Sequence, residues 1–360
     1  MADTALDLLV SIPVTTVQQT SPPGGLGAVC VLTPEGATPL SPEYTSYTSA
    51  TAIAAGLSAG NITAQGAEDL TTVLAQDGGP TTVWVATYDD STETPDAAAD
   101  RILAAKVADI GIFVCSGRDV ADIDAMGTWM ATRLFRYMVF AQSADSSLIT
   151  GSPTSSLDNA VTGRLHLAYA TATEPTAAGI AGAIAGVDLT QHPVGGRVTL
   201  NSVAAETGLT RAQQDYVIAN HLNLVTVLDQ GSSVKMTVGH VMYDGTEVTV
   251  YTSAMYLRRR LLTAYANMLS AYASRREPIP ANNSGIAAAK AVARAECEVL
   301  RAAGHFTPGS IGAGPAKRDF PDGYDIIASV SGGIITVRVD CLIAGEFDSF
   351  SVPLTMTEAI

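Results

Sequence analysis

The sequence contains few charged and few aromatic residues for its length. Charged side chains make up 15% of the 360 residues and aromatic side chains 6%, whereas apolar residues make up 47%. Surfaces rich in Thr, Ser, Ala and Gly suit contact with other subunits, although a soluble protein with a small-residue surface is the plainer interpretation. A chain of this length fits two domains plus termini and predicts a sizeable core.

The sequence also lacks any run of about twenty apolar residues, so no segment is expected to cross a bilayer. The first ten residues carry Asp3 and Asp7 and no basic residue, which argues against an ordinary signal peptide. The cysteines form no C-x-x-C pair, and we expect reduced thiols in a protein made in the cytosol. They are Cys30, Cys115, Cys297 and Cys341.

Basic residues are scarce and unevenly placed. The chain has 20 Lys and Arg against 35 Asp and Glu, a net charge of −15, which argues against a nucleic-acid partner. Between Met255 and Arg318, however, ten basic residues stand against three acidic ones, so this segment carries +7 and the remainder −22. A basic segment on an acidic protein indicates an acidic partner or self-association, and a pair of solvated helices is the alternative.

Glycine-rich loops are present, but none has a nucleotide-binding signature. Residues 111–117 (GIFVCSG) offer one loop glycine, Gly117, and no Lys-Ser/Thr pair. Residues 309–317 (GSIGAGPAK) do not lead into a helix, and phosphate binding needs a helix N-terminus behind the glycines. We therefore expect no cofactor.

Side chains with catalytic or metal-binding chemistry form no recognisable pattern. The five histidines lack metal-ligand spacing. Ser116 lacks the G-x-S-x-G of a nucleophile elbow, and Cys115 is expected to be a core thiol. No catalytic or metal residue is therefore predicted. The loop aspartates are interpreted as solvated residues and helix caps, namely Asp89, Asp90, Asp119, Asp122 and Asp124.

The chain begins with an isolated strand pattern. Residues 8–17 (LLVSIPVTTV) are rich in β-branched residues, and residues 18–25 form a linker with two prolines and two glycines. A strand held on a linker has no obvious partner in its own domain.

From Leu26 the pattern alternates between strands and helices. Near-continuous apolar strands joined by helices predict an α/β core with a mostly parallel sheet covered on both faces. The predicted strands are 28–32, 82–87, 111–115 and 137–141, followed by a hairpin of 225–228 with 234–238 and a strand at 248–251. The predicted helices are 50–57, 67–75, 95–105, 120–133, 177–184 and 210–221.

The last third of the chain predicts a smaller α+β domain. Two helices, 255–272 and 286–303, are followed by a hairpin of 326–330 with 334–343 and an apolar strand at 350–356. The predicted organisation is an N-terminal arm and linker (1–27), a core domain (28–254), a C-terminal domain (255–345) and a C-terminal arm (346–360).

The order of these segments resembles the contractile tail sheath proteins of bacteriophages, particularly their shorter members. LLVSIPVTTV and GAVCVLTP are similar to the family's N-terminal arm and first core strand, and PTTVWVATYDD to a central core strand. RYMVFAQSAD, TAAGIAGAIAGVDL and LTRAQQDYVIANHLNLVTVL are similar to later core elements, and AMYLRRRLLTAYANML and the closing β segment to the C-terminal domain. The extra surface domains of larger sheath proteins are absent from this sequence.

The resemblance implies a structural subunit of stacked hexameric rings around an inner tail tube, with terminal arms that add strands to neighbouring subunits. The implied N-terminal arm residues are Leu8, Leu9, Val10, Ile12, Val14 and Val17, and the C-terminal ones are Phe350, Val352, Leu354 and Met356. The implied receiving sheet contains Ile326, Ile327, Val330, Ile335, Val337 and Val339.

The resemblance also implies that the basic helices face an acidic tube. The candidates are Arg258, Arg259, Arg260, Arg275, Arg276, Lys290 and Arg294. The expected partners are further copies of the chain, the tail tube protein, and baseplate and tail terminator proteins, without nucleic acid or membrane insertion. The expected location is the virion tail, assembled in the host bacterial cytoplasm.

Three other interpretations remain open. An α/β hydrolytic enzyme has a similar core pattern, a bacterial contractile injection apparatus uses the same sheath fold, and a baseplate component is another structural protein of phages. The solution behaviour separates the first from a sheath, because a sheath subunit forms large oligomers or tubes.

Overall fold

The fold is that of a computed structural model of the chain. It describes residues 25–150, 157–170, 173–194, 198–227, 235–238, 242–277, 279–280, 282–311, 317–331, 334–343 and 349–357. The chain divides into two compact units. The first extends to Asp188 and resumes from Val194 to Thr252, and the second comprises Leu189–Pro193 and the chain from Ser253 onward.

A six-stranded sheet forms the centre of the first unit, in the order β2-β3-β1-β4-β5-β6. Five strands are parallel and the edge strand β2 is antiparallel to β3, which confirms the predicted mostly parallel sheet. The strands are β1 (Ala28–Pro34), β2 (Tyr44–Tyr47), β3 (Val83–Tyr88), β4 (Ile110–Cys115), β5 (Met138–Ser143) and β6 (His166–Tyr169).

Helices cover both faces of this sheet, because its crossovers run in two directions. The connection from β1 to β3 moves one way and that from β3 to β4 the other, so right-handed crossovers place their helices on opposite faces. Strands β4 and β5 are buried along their whole length, as their continuous apolar sequences predict. The helices are α1 (Ala50–Ser58), α2 (Ala64–Leu74), α3 (Pro95–Ala105), α4 (Val120–Ala131), α5 (Asp158–Thr162) and α6 (Thr176–Ala185).

Side-chain caps fix where several helices begin. Thr63 accepts a hydrogen bond from the Gly66 amide before α2, and Asp119 accepts one from the Asp122 amide before α4. Each cap satisfies an amide that lacks a partner within its helix. The predicted cap role of Asp119 is therefore confirmed.

The first unit is completed by a small antiparallel sheet in the order β7-β9-β8. Strands β8 and β9 pair as the predicted hairpin, and its expected turn residues lie outside the described residues. Thr210 and Gln213 form a capping box at the start of helix α7. The elements are β7 (Thr199–Leu200), α7 (Arg211–Ala219), β8 (Leu224–Val227), β9 (Lys235–Val238) and a short 3₁₀ helix (Ser146–Ile149).

The strand predicted at residues 248–251 is wrong, because these residues begin a long helix, α8 (Val248–Arg275). Val248 is buried, and so are all eight residues from Val250 to Leu257. The Tyr251 hydroxyl also donates to the Tyr137 carbonyl at 2.9 Å. Tertiary burial therefore overrides the β propensity of the Val-Thr-Val sequence.

The second unit contains α8 from Ser253 onward, helix α9 and two small sheets. One side of α9 is lined by small buried residues, including Ala289 and Ala293, and this helix packs on β12 and β13. A Cβ atom on Gly285 would lie 1.8 Å from the Pro280 carbonyl oxygen, so only glycine leaves room for that carbonyl beside the first turn of α9. The elements are α9 (Asn283–Ala302), β10 (Gly309–Ile311), β11 (Arg318–Phe320), β12 (Tyr324–Ser331), β13 (Ile334–Leu342) and β14 (Ser349–Thr357).

Candidate assembly surface

The candidate surface is built around the terminal sheet, the three strands β12, β13 and β14 in that order. Both pairings are antiparallel. Strand β13 is central, so β12 and β14 each have one edge without a partner strand among the described residues. An unpaired edge presents backbone donors and acceptors to another chain.

The predicted receiving residues divide between the two faces of this sheet. Ile326, Ile335, Val337 and Val339 are buried on the face that α9 covers, which we call the inner face, and Val330 is half-buried in the same alternation. Ile327 has the opposite phase and is 43% exposed on the outer face. Sequence proximity had grouped Ile327 with Ile326, but successive residues of a strand point to opposite faces.

One hydrogen bond sets the backbone phase of β12. The Leu342 amide donates to the Gly323 carbonyl at 2.7 Å, and these two residues are opposite each other in the β12–β13 register. Hydrogen-bonded pairs alternate with non-bonded pairs in an antiparallel ladder. The backbone groups that point away from β13 therefore belong to Tyr324, Ile326, Ala328 and Val330.

Strand β14 pairs with β13 over nine residue pairs. Phe350, Val352, Leu354 and Met356, the residues predicted to form a C-terminal arm, stand opposite Cys341, Val339, Val337 and Ile335. In the single chain β14 thus completes the sheet of its own subunit, and its exchange with a neighbour stays a prediction. The predicted N-terminal arm residues lie outside the described part of the chain.

The outer face of the terminal sheet carries an ionic cluster. Arg318 donates to Asp340 at 2.7 Å and to Asp325 at 3.0 Å, and Arg338 donates to Asp340 at 2.6 Å. The Asp340 side chain is only 4% exposed, whereas both arginine side chains are 43–50% exposed. The cluster attaches β11 to the sheet and neutralises two facing carboxylates.

The candidate tube-facing residues differ in their surroundings. Arg260 donates to Glu296 at 2.6 Å and to the Tyr256 hydroxyl at 3.1 Å, so its charge joins α8 to α9. Arg275, Arg276 and Arg294 are exposed. The remaining candidates are partly buried, namely Arg258, Arg259 and Lys290.

Comparison with known proteins identifies the fold. No protein family model matches the chain, and no curated protein matches it in sequence. Two of the solved structures that match it do so along nearly its whole length. A sheath tail protein of Listeria innocua superposes with a TM-score of 0.58 at 10% identity, covering 93% of this chain and 96% of that chain. The helical sheath of the anti-feeding prophage in its contracted state gives a TM-score of 0.53 at 14% identity, covering 97% and 93%.

The chain has the fold of a tail sheath protein. Both solved structures are described as sheath proteins and neither as an enzyme. Their low sequence identity explains why the resemblance lies in the order and type of elements and not in long matching sequences.

Within the sheath fold, the residues that suggested an enzyme are tied into the core. The Ser116 hydroxyl donates to Asp69 at 2.6 Å, and both residues are buried. The Cys115 thiol donates to the Gly117 carbonyl at 3.3 Å, and burial raises its pKa well above the usual value. A buried thiol held in its protonated form is a poor nucleophile, in agreement with the predicted core role.

A buried carboxylate beside this loop was missed by sequence reasoning. Asp122 was interpreted, with the other loop aspartates, as a solvated residue or a helix cap, but it is 5% exposed and accepts a hydrogen bond from the Tyr88 hydroxyl at 2.8 Å. A Cβ atom on Gly117 would lie 1.7 Å from Asp122 Oδ2, so only glycine leaves room for the carboxylate. The sequence signal was a glycine five residues before an aspartate, and it does not distinguish a packed loop from a flexible one.

Burial controls the protonation of the two carboxylates. Burial raises the pKa of Asp69 to about 6, although Ser116 and Arg118 favour its charged form. Burial likewise raises the pKa of Asp122 to about 6, although the hydrogen bond from Tyr88 favours its charged form. Arg118 approaches Asp69 at 3.3 Å, and this long contact is consistent with burial as the stronger effect.

Among the residues that the structure describes, no group of three His, Cys, Asp or Glu side chains could hold a metal ion. In the same part of the chain, no helix is long and apolar enough to cross a membrane.

Proposed function

We propose that the chain is a structural subunit of a contractile sheath that polymerises as stacked hexameric rings around an inner tail tube. The observation that carries the proposal is the sheath fold, matched over 93% and 97% of the chain by two sheath proteins. One edge of β12 has no partner strand among the described residues, and such an edge supplies a physical means of self-association.

Strand exchange through the terminal sheet would link the subunits. The N-terminal arm would add a strand to a neighbour's sheet, and β14 would leave its own β13 for the equivalent position in another copy, as in domain swapping. Each added strand would form several backbone hydrogen bonds of about 1 kcal/mol net each. Burial of each Leu, Ile or Val side chain would add about 1.5–3 kcal/mol.

Contraction requires that subunits move without separating. Arms on extended linkers allow rotation of the subunits while their paired strands stay in place. The contraction would drive the tube through a cell envelope, with baseplate and tail terminator proteins at the two ends of the sheath. The assembled particle would form in the cytoplasm of the host bacterium.

The basic helices would face an acidic tube. Arg275, Arg276 and Arg294 are exposed and can form ion pairs with a partner. Exposed pairs contribute only about 0–1 kcal/mol each and are screened by salt. Many weak pairs would hold the extended sheath on the tube and still permit sliding.

A bacterial contractile injection apparatus is the second candidate. The likeness to the anti-feeding prophage sheath favours it, and the likeness to the Listeria innocua sheath tail protein favours a tail. Both candidates assign the same mechanical role to the chain.

Polymer formation tests the proposal. The purified chain is expected to form tubes or stacked rings in negative-stain electron micrographs and to sediment as large oligomers. A monodisperse monomer or small oligomer over the whole concentration range, with or without a tube protein, would contradict the proposal and favour the enzyme.

A further inference from the structure

We infer that a cavity in the first unit binds a guanidinium group, presented either by a small molecule or by an arginine side chain of a second copy of the chain. This inference goes beyond the proposed function, because it concerns the first unit alone and holds whether or not the chain polymerises. The position of the cavity, the hydrogen-bond acceptors that line it and its size together lead to this ligand.

The cavity lies at the carboxyl end of β6, the last strand of the six-stranded sheet. In open α/β sheets, ligands bind outside the carboxyl ends of the strands. Its walls come from the end of β6, the turn before α6, residues 204–207 and β8. The residues with polar side chains that line it are Tyr169, Glu174, Thr176, Glu206 and Thr207.

Hydrogen bonds hold these walls in place. The Tyr169 amide donates to the Asn223 carbonyl at 2.9 Å, and the Glu206 amide donates to the Val225 carbonyl at 2.8 Å. Gln142, which is buried, accepts a hydrogen bond at 2.8 Å from an amide in the first turn of α6. The cavity is therefore formed in the absence of a ligand, and a preformed site lowers the free-energy cost of binding.

Two carboxylates are fixed at the cavity by backbone amides. Glu174 Oε2 accepts from the Ala204 amide at 2.9 Å, and Glu206 Oε1 accepts from the Gly208 amide at 2.8 Å. In the part of the chain that the structure describes, the other oxygen of each carboxylate has no hydrogen-bond donor. Each carboxylate thus keeps an acceptor for a ligand.

Two buried side chains with hydroxyl groups also line the cavity. Tyr169 is 8% exposed and Thr176 is 2% exposed, and among the described residues neither hydroxyl has a hydrogen-bond partner. Burial raises the pKa of Tyr169, and the charges of Glu206 and Asp145 raise it further, so the Tyr169 hydroxyl lies near both carboxylates. Buried polar groups are ordinarily paired, and a ligand that donates hydrogen bonds would pair these two.

The charges around the cavity select a cation. The described residues that line it include two carboxylates and no Lys, Arg or His. The start of α6 attracts negative charge, but the Glu174 carboxylate, two residues before that helix, supplies it. A metal ion lacks the ligands it needs, because within the described ranges no group of three His, Cys, Asp or Glu side chains could hold one. The ligand is therefore an organic cation.

The size of the cavity limits this cation to a small head group. The cavity volume is about 120 Å³, whereas sites for drug-sized ligands have volumes of about 300–1,000 Å³. A guanidinium group carries five N–H donors in one plane, whereas an ammonium group carries three. Two carboxylates and two hydroxyl groups offer more acceptors than an ammonium group can use, so the guanidinium group is the better complement.

Calorimetric titration with ethylguanidinium chloride tests the site. The full chain, kept below the concentration at which it polymerises, is expected to bind one equivalent saturably. Tetramethylammonium, a cation without N–H donors, is expected to bind at least about ten-fold more weakly, because it cannot form charge-assisted hydrogen bonds. Absence of saturable ethylguanidinium binding, or equal affinity for tetramethylammonium, would overturn the inference.

Substitutions locate the bound group. Glu206→Gln keeps an acceptor for the Gly208 amide but removes the charge, and it is expected to raise the Kd for ethylguanidinium about ten-fold. Tyr169→Phe removes only a hydroxyl group and is expected to raise this Kd about three-fold. Glu68→Gln is the matched control, because Glu68 is an exposed residue of α2 that does not line the cavity.

Circular dichroism and Tm without ligand establish that each variant is folded. Tyr169→Phe leaves the charges and the backbone hydrogen bonds unchanged, so it tests the site independently of Glu206→Gln. If both variants bind ethylguanidinium as tightly as Glu68→Gln does, the cation binds elsewhere and the assignment of this cavity is wrong.

Polymerisation distinguishes the two sources of the guanidinium group. If an arginine of a second copy occupies the cavity, saturating ethylguanidinium and Glu206→Gln should each raise the critical concentration for polymerisation, with tetramethylammonium and Glu68→Gln as their controls. If a small molecule is the ligand, the critical concentration should stay unchanged in both cases. Binding to the unpolymerised chain does not depend on polymer formation, so failure of the sheath proposal and failure of this site are separate results.

Discussion

Asp325 and Asp340 are directly opposite each other on β12 and β13, and Arg318 donates a hydrogen bond to each of them. Like charges in this cross-strand position repel each other. The arginine therefore permits an arrangement that would otherwise destabilise the sheet, and it ties β11 to the surface on which the proposed docking depends.

Loss of this bridge is expected to weaken the terminal sheet. Arg318→Gln should lower the free energy of unfolding of the second unit by about 1 kcal/mol, because Arg318 is partly exposed and Arg338 still pairs with Asp340. Adding Asp325→Asn should restore most of the loss by removing the repulsion. Lys317→Gln, at an exposed pair, is the control. Chemical denaturation measures the effect, and an unrescued double variant would contradict the repulsion.

The first unit is expected to become more stable as the pH falls from about 7 to about 4. The pKa values of Asp69 and Asp122 are about 6 in the folded chain and 3.8 as ordinary values, so the folded state binds protons more tightly in this window. Both tryptophans, Trp84 and Trp129, belong to this unit, so their fluorescence reports its unfolding. Asp69→Asn with Asp122→Asn should flatten the profile. An unchanged slope in that double variant would show that other groups cause it.

The second unit is expected to respond to pH in the opposite direction. His305 is buried, and its Nε2 donates to the Leu189 carbonyl at 2.7 Å, so Nδ1 accepts from the Ser253 hydroxyl at 2.7 Å. Burial lowers the pKa of His305 below 6.5, which means that the folded state favours neutral imidazole. Stability should therefore fall as the pH drops below about 6.5.

Thiol labelling measures this second profile. Cys297 and Cys341 are buried in the second unit, and their rate of modification reports its opening. As the pH falls from 6.5 to 5, the labelling rate of the folded chain should rise relative to that of an unfolded control. His305→Gln should remove that rise. If the His305→Gln variant keeps the same pH dependence of labelling, a group other than His305 causes it.

Removal of residues 1–20 is expected to leave a folded chain that does not polymerise. The described residues begin at residue 25, so the truncation spares every helix and strand that the structure describes. Circular dichroism should match the full chain, while negative-stain micrographs should show no tubes. Normal tubes from the truncated chain would contradict the arm hypothesis.

Much of the fold could be predicted because the apolar patterns that indicate strands and helices in the core match the residues that are buried there. The helix Pro95–Ala105 has both predicted ends, since proline at its first turn marks the start. Strand β6 and edge strand β2 were not predicted, because His166 and the polar sequence Tyr-Thr-Ser-Tyr give no apolar run. Their pairing depends on long-range contacts with β5 and β3.

The candidate surface was predictable only in part. Apolar alternation indicated the strands of the terminal sheet, but not that Arg318 would bridge two aspartates from β11. The sequence pattern also groups Arg260 with the other basic residues. Its ion pair with Glu296 is not predictable from local pattern, because the two residues are 36 positions apart in the chain. Such partners follow from the packing of α8 on α9 and not from local pattern.

Reversal of basic charge is expected to separate tube binding from folding. Arg275→Glu with Arg276→Glu should weaken co-sedimentation of the sheath with an acidic tube and reduce its salt dependence, because both residues are exposed. Arg260→Glu should instead destabilise the second unit, since it places a like charge beside Glu296 at a half-buried position. Tm measurements and co-sedimentation at low and high salt distinguish the two effects. If the Arg275 and Arg276 reversals leave co-sedimentation unchanged while the chain stays folded, charge pairing at this end of α8 does not hold the tube.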